Sequence, residues 1–194
     1  MSIFELYFKL GLEHIADLKG YDHILFILTL CVVYRASEWN RILILVTAFT
    51  IGHSLTLALA TLDIFRINSE LVEFLIPLTI FITALANVLT GARGAGKALH
   101  RMKYAAALFF GLIHGLGFSN YLRSLLGSES SLFVPLLSFN IGIEAGQLLI
   151  VAAIILFSFL VVDLARYPRR DWHILLSGAG MGVSLILMIE RFPF

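Results

Sequence analysis

The chain has 194 residues, 59% of them hydrophobic, with a mean hydropathy of +0.93 and a formal net charge of +1. Charged residues make up 14%, against roughly 25% in soluble domains, and they gather between apolar runs. These figures exclude an ordinary soluble domain. The lack of a basic patch with interleaved aromatics excludes a nucleic-acid partner, and the lone Cys31 excludes an internal disulfide or a thiolate metal cluster.

Residues 2–18 read as an amphipathic interfacial helix. Glu5, Lys9, Glu13 and Asp17 form an i, i+4 ladder; Ile3, Phe4, Tyr7, Leu10 and Leu18 fall opposite, with His14 central to the apolar side. The segment lacks the continuous apolar core and small-residue cleavage site of a signal peptide. Six spans follow near 21–37, 41–62, 70–91, 104–125, 134–163 and 172–191, at about 20 apolar residues per crossing. The expected fold class is an all-α polytopic membrane protein, a single transmembrane domain over 1–194 embedded in a lipid bilayer. The first span is short and needs the preceding helix to complete its packing. The fifth is over-long, and Pro135 marks its first turn as a separate interfacial piece. Trp39 and Trp172, with Arg41, Arg166, Arg169 and Arg170, are expected interfacial anchors. Residues 91–96 (Gly-Ala-Arg-Gly-Ala-Gly) read as a flexible loop. His100, among Arg101 and Lys103, is expected on a solvated face, and His173, beside Trp172, at an interface. Nine of the fourteen Lys and Arg fall on one side of a six-span arrangement, which places that side in the cytoplasm and both termini outside.

What remains is a set of ionisable groups at membrane depth. Such groups cost free energy unless they pair, face water or hold an ion. Asp22 and His23 open the first span, His53 lies in the second, His114 in the fourth and Glu144 in the fifth. In the outside-terminus orientation they run from the external mouth toward midplane. His53 is about 18 Å along its helix from Arg41 at 1.5 Å per residue. Polar neighbours lie on the same helices: Thr47, Thr50 and Ser54 on the second span, Thr79, Thr83, Asn87 and Thr90 on the third, Asn140 and Gln147 on the fifth. Gly111/Gly115, Gly142/Gly146 and Gly178/Gly182 are small-xxx-small pairs that let helices approach closely. Imidazole and carboxylate ligands suit a borderline divalent ion such as nickel, cobalt, zinc or ferrous iron, and no methionine lies near to favour a cuprous one. The candidate metal ligands are Asp22, His23, His53, His114 and Glu144, with His14 as an additional candidate. Thr50, Ser54, Asn140 and Gln147 are expected to orient them. Three readings stay open on these residues: a permease for the ion, an intramembrane metal-dependent hydrolase with Glu144 as general base, and a haem protein ligated by His53 and His114. For Asp22, a purely capping role at the start of its helix is also open.

Four ordered segments resemble the HupE/UreJ-type membrane proteins: Gly20-Tyr-Asp22-His23-Ile-Leu-Phe, Phe49-Thr-Ile-Gly-His53-Ser-Leu-Thr, Gly111-Leu-Ile-His114-Gly-Leu-Gly-Phe and Phe139-Asn140-Ile-Gly-Ile-Glu144-Ala-Gly-Gln147. The resemblance implies nickel or cobalt uptake, a bacterial inner-membrane location, and a site at Asp22, His23, His53, His114 and Glu144. The chain departs from the nickel-permease pattern His-Pro-x-x-Gly-x-Asp-His: Ala16 stands at its first position, with His14 displaced by two. It also has Phe109-Phe110-Gly111 where that branch has Phe-His-Gly. It is thus more similar to the second, less characterised HupE/UreJ subgroup.

Overall fold

A computed structural model describes residues 1–18, 20–64, 66–91, 97–126 and 131–193. The loop expected at 91–96 lies, beyond Gly91, outside the described residues, as do Lys19 and Arg93 of the charge count. Every regular element among the described residues is helical: α1 (Ile3–Ala16), α2 (Asp22–Cys31), α3 (Trp39–Thr61), α4 (Ser69–Thr90), α5 (Lys97–Gly117), α6 (Ser119–Leu126), α7 (Phe133–Ser158) and α8 (Arg169–Glu190). A 3-10 turn at Ala36–Glu38 leads into α3, and a π-helical stretch at Phe159–Leu164 extends α7.

Four of these are long and apolar enough to cross a bilayer: Ala36–Thr61, Ser69–Thr90, Phe133–Leu164 and Arg169–Glu190. The span expected at 104–125 is broken, because α5 and α6 meet at 50°. The break falls at Phe118, where the Ser119 hydroxyl donates back to the Leu116 carbonyl at 2.8 Å. The span expected at 21–37 is shorter still, the ten-residue α2. Pro135 does not detach a separate piece. It sits in the first turn of a continuous 26-residue α7, where its missing N–H forfeits no helical bond.

The amphipathic N-terminal helix is present as α1, opened by a capping box in which the Ser2 hydroxyl accepts from the Glu5 N–H at 3.2 Å and Glu5 accepts from the Ser2 N–H at 2.8 Å. Its apolar side divides in two. Tyr7, Gly11 and Ile15 are buried against protein, whereas Ile3, Phe4 and Leu6 stay exposed; the helix packs alongside α7 rather than across its end.

Three close pairs build the bundle. In α3/α5 and α1/α7 the backbones touch at glycines. A Cβ on Gly52 would overlap the Leu108 carbonyl, one on Gly111 that of Phe49, one on Gly11 that of Phe139 and one on Gly142 that of Phe8. Later residues of one helix meet later residues of its partner, so both pairs are parallel. The third pair, α4/α8, is antiparallel: Phe74 meets Phe192 at 5.5 Å between ring centres, and Gly180 lies against Ala84. Gly178 and Gly182, expected to mediate such an approach, have open space around them. The close-approach glycine of α8 is Gly180 instead, packed tightest against Thr29 of α2. Short α2 touches a member of every pair, which places its first turn at the centre of one end of the bundle.

Candidate metal site

Each of four helices brings one histidine to that end: His14 from the last turn of α1, His23 from the first of α2, His53 from α3 and His114 from α5. Ring centres lie 4.7 Å apart for His14–His23, 5.9 Å for His14–His53, 5.9 Å for His23–His53 and 5.4 Å for His23–His114. One ring nitrogen from each of His14, His23 and His53 lies within 4.8 Å of the other two. Tetrahedral ligands at about 2.0–2.1 Å from a metal stand about 3.3 Å apart, so small side-chain rotations close the triad on an ion. His23, His53 and His114 are 6%, 0% and 1% exposed.

The partners of these rings settle which nitrogens are left over. His23 Nδ1 lies 3.3 Å from Asp22 Oδ1, which favours the proton on Nδ1 and leaves the Nε2 lone pair for a ligand. Asp22 Oδ1 also accepts the His23 backbone N–H at 3.0 Å. His114 is held the other way round. Thr79 donates its hydroxyl proton to the Ile76 carbonyl at 2.7 Å and sits 2.9 Å from His114 Nε2. Nε2–H therefore donates to Thr79, and the lone pair is on Nδ1. Both leftover atoms, His23 Nε2 and His114 Nδ1, are buried without a hydrogen-bond partner, as are His14 Nε2 and both nitrogens of His53. Buried polar atoms left unpaired cost about 1–3 kcal/mol each; here they belong to four neighbouring rings, of which His14, His23 and His53 each bring one nitrogen within 4.8 Å of the other two. Aromatic rings wall the cluster off: Phe118 is 4.0 Å from the His14 ring, Phe26 is 4.9 Å and Phe49 5.1 Å from the His114 ring, and Phe26, Phe49 and Phe139 are at most 1% exposed.

The structure rearranges the expected roles. His23, His53 and His114 come together, and His14, the additional candidate, is a full member of the cluster. Asp22 is the first residue of α2, after Tyr21 at the N-cap; its carboxylate both accepts a first-turn backbone N–H, that of His23, and backs the His23 ring. Glu144 is not brought to the histidines. It is half-buried on α7 and accepts from the Thr47 hydroxyl at 3.0 Å, six residues, or about 9 Å, along α3 from His53. The residues expected to orient ligands pair across α3 and α7: Ser54 donates to Asn140 Oδ1 at 2.6 Å, and Thr50 lies 2.6 Å from Gln147 Oε1. They set the position of α3, and through it that of His53, rather than touching the rings. His100 is buried beside Tyr34, with ring centres 6.0 Å apart, and not on a solvated face. His173 is likewise buried, at 1% exposure, because its side of α8 faces the bundle.

Sequence reasoning missed the aromatic wall, although its signal was there: Phe26, Phe49 and Phe118 each stand three or four residues from a site histidine. It also missed Arg191, whose Nη1 lies 3.0 Å from Asp22 Oδ2.

With this geometry in place, comparison with known families is decisive. The family model described as HupE / UreJ protein matches residues 1–191. The chain belongs to the HupE/UreJ family. No curated protein and no solved structure matches it. In this HupE/UreJ protein the four ordered segments converge on one place: Asp22-His23, His53 and His114 supply three of the four helices of the site, and Phe139 of the fourth segment lies 5.9 Å from the His14 ring.

Proposed function

We propose that the protein is a secondary permease for a divalent transition-metal ion of the nickel or cobalt type, working in a bacterial inner membrane with the histidine end outward. Membership of the HupE/UreJ family supports metal transport in general. The observation that carries the reading here is the cluster of four histidine rings with unpartnered nitrogens at the junction of α1, α2, α3 and α5. Neutral imidazoles replace the water shell of a borderline ion, and a set contributed by four separate helices can loosen when one helix moves, which lets the ion leave. Glu144, on α7 beside Thr47, is the carboxylate next reached toward the opposite end, past the Thr50–Gln147 pair, and a proton arriving on it would favour release. The wall of phenylalanines keeps the transfer dry. Glu144 stands at Thr47, about 9 Å along α3 from His53, too far to act as a hydrolytic base at the cluster, so the permease reading leads the hydrolase one.

The test is uptake of radioactive nickel or cobalt into proteoliposomes. His53→Ala combined with His114→Ala is expected to abolish saturable uptake. Transport at the wild-type rate in that double variant would refute the permease reading.

A further inference from the structure

The histidine cluster opens to the end of the bundle through a cavity of about 330 Å³. Its wall carries Asp17 at the end of α1, Asp22, Glu73 in the first turns of α4, and Arg191 just past α8. His14, His23 and His114 line its inner side, so the buried, unpartnered His23 Nε2 and His114 Nδ1 belong to side chains that border it. Asp22 and Glu73 set carboxylates on this wall beside the Arg191 guanidinium, acceptors suited to a cation. Six waters at roughly 30 Å³ each occupy about 180 Å³, so the cavity accommodates an ion with its first hydration shell. Pro77, one turn beyond Glu73, has no N–H to return to the Glu73 carbonyl, which adds an oxygen acceptor beside the same wall.

Arg191 occupies the decisive position. Asp22 Oδ1 is engaged by His23, and Oδ2 by Arg191 at 3.0 Å. The guanidinium is only 28% exposed, and its charge stands where an entering cation would pass. The geometry points to Arg191 as a displaceable counter-ion that latches the mouth of the histidine site, with Glu73 as the carboxylate that receives a hydrated divalent cation outside it. This inference rests on the permease reading and adds to it the way the ion gains entry. Arrival of the ion repels the guanidinium from Asp22, and its departure lets the latch close again. Because Arg191 ends α8, the motion is available at a helix terminus and leaves the α4/α8 seam unchanged.

Stopped-flow mixing of the purified protein with Co²⁺ alone, read by its absorption bands, tests this. Arg191→Gln is expected to speed association on the order of tenfold and to tighten the dissociation constant, with Arg191→Lys in between. Glu73→Gln is expected to slow association several-fold at low ionic strength, the difference vanishing in about 0.5 M salt where the screening length falls to a few ångströms, with dissociation unchanged. Arg191→Gln that weakens Co²⁺ binding as Asp22→Asn does would overturn the latch and make Arg191 a positioning residue. Dissociation in Glu73→Gln as fast as in His53→Ala would overturn the vestibule by making Glu73 a direct ligand. Should Arg191→Gln not fold, Arg191→Lys and the Glu73 variant still decide the matter. Failure of the permease reading itself shows separately, as metal uptake that persists without His53 and His114.

Discussion

At the scale of single residues, the site works by assigning protons. His23 and His114 sit a ring apart, yet Asp22 holds the first by Nδ1 and Thr79 the second by Nε2. Each is left with one unpartnered ring nitrogen, Nε2 on His23 and Nδ1 on His114. Partners of this kind fix tautomer and ring orientation, and their loss typically costs 10–100-fold in metal affinity. Asp22→Asn and Thr79→Val are therefore expected to weaken Co²⁺ binding by about 10–100-fold each while keeping the number of ligands, whereas His53→Ala removes a ligand outright. Isothermal titration with Co²⁺ separates the cases. An Asp22→Asn protein indistinguishable from His23→Ala would mean that the carboxylate binds the metal directly.

At the scale of helices, the positions of the histidines depend on backbones that touch. Gly52 and Gly111 lock α3 to α5 and so bring His53 to His114; Gly11 and Gly142 lock α1 to α7 and so carry His14 inward. An added methyl at Gly52 or Gly111 meets a carbonyl oxygen that cannot move without its helix, and overpacking of this kind costs about 1–3 kcal/mol or more. Gly52→Ala and Gly111→Ala should lower thermal stability in detergent by that amount. Gly178→Ala, in open space, should be neutral or stabilising by up to about 1 kcal/mol. Equal losses at all three positions would show that the glycine contacts do not hold the bundle. The same contrast explains what the sequence could and could not reveal. The pairs Gly111/Gly115 and Gly142/Gly146 were legible as spacing, but Gly178/Gly182 has the same spacing and packs nothing. Lipid is as apolar as a protein interior, so hydrophobicity does not report which face of a span is inside. His100 and His173 were misplaced for that reason, since charged or interfacial neighbours in sequence lie on other faces of their helices. His23, His53 and His114 were legible because an imidazole within an apolar run is conspicuous wherever it faces. His14 was ambiguous amid a charged ladder, and Arg191 was out of reach because its partner, Asp22, is 169 positions away.

At the scale of the whole molecule, the histidine cluster is a joint between three parts of the bundle. His53 and His114 belong to the α3/α5 pair, His14 to the α1/α7 pair, and His23 to α2, which bridges both to α4/α8. The same end of the bundle is also tied independently of it: Arg123 bonds the Ala60 carbonyl and lies 3.0 Å from Asp63, fixing α6 to the end of α3, and hydrogen bonds from Arg66 hold the Asp63 carboxyl below its ordinary range. An ion at the joint therefore adds a link between parts already joined by packing and by the α3/α7 and Arg191–Asp22 hydrogen bonds. A ligand that binds only the folded state stabilises it by about 2.7 kcal/mol at a hundred times its dissociation constant. Co²⁺ at that excess should raise the unfolding temperature of the wild-type protein, and a chelator should return it to the starting value. His14→Ala removes the one ligand that belongs to α1/α7. It should shrink the metal-induced rise markedly, while leaving the unfolding temperature without metal close to wild type, since His14 is half-buried and its Nε2 has no partner to lose. A full metal-induced rise in His14→Ala, alongside its loss in His53→Ala, would confine the site to α2, α3 and α5 and leave α1 as packing alone.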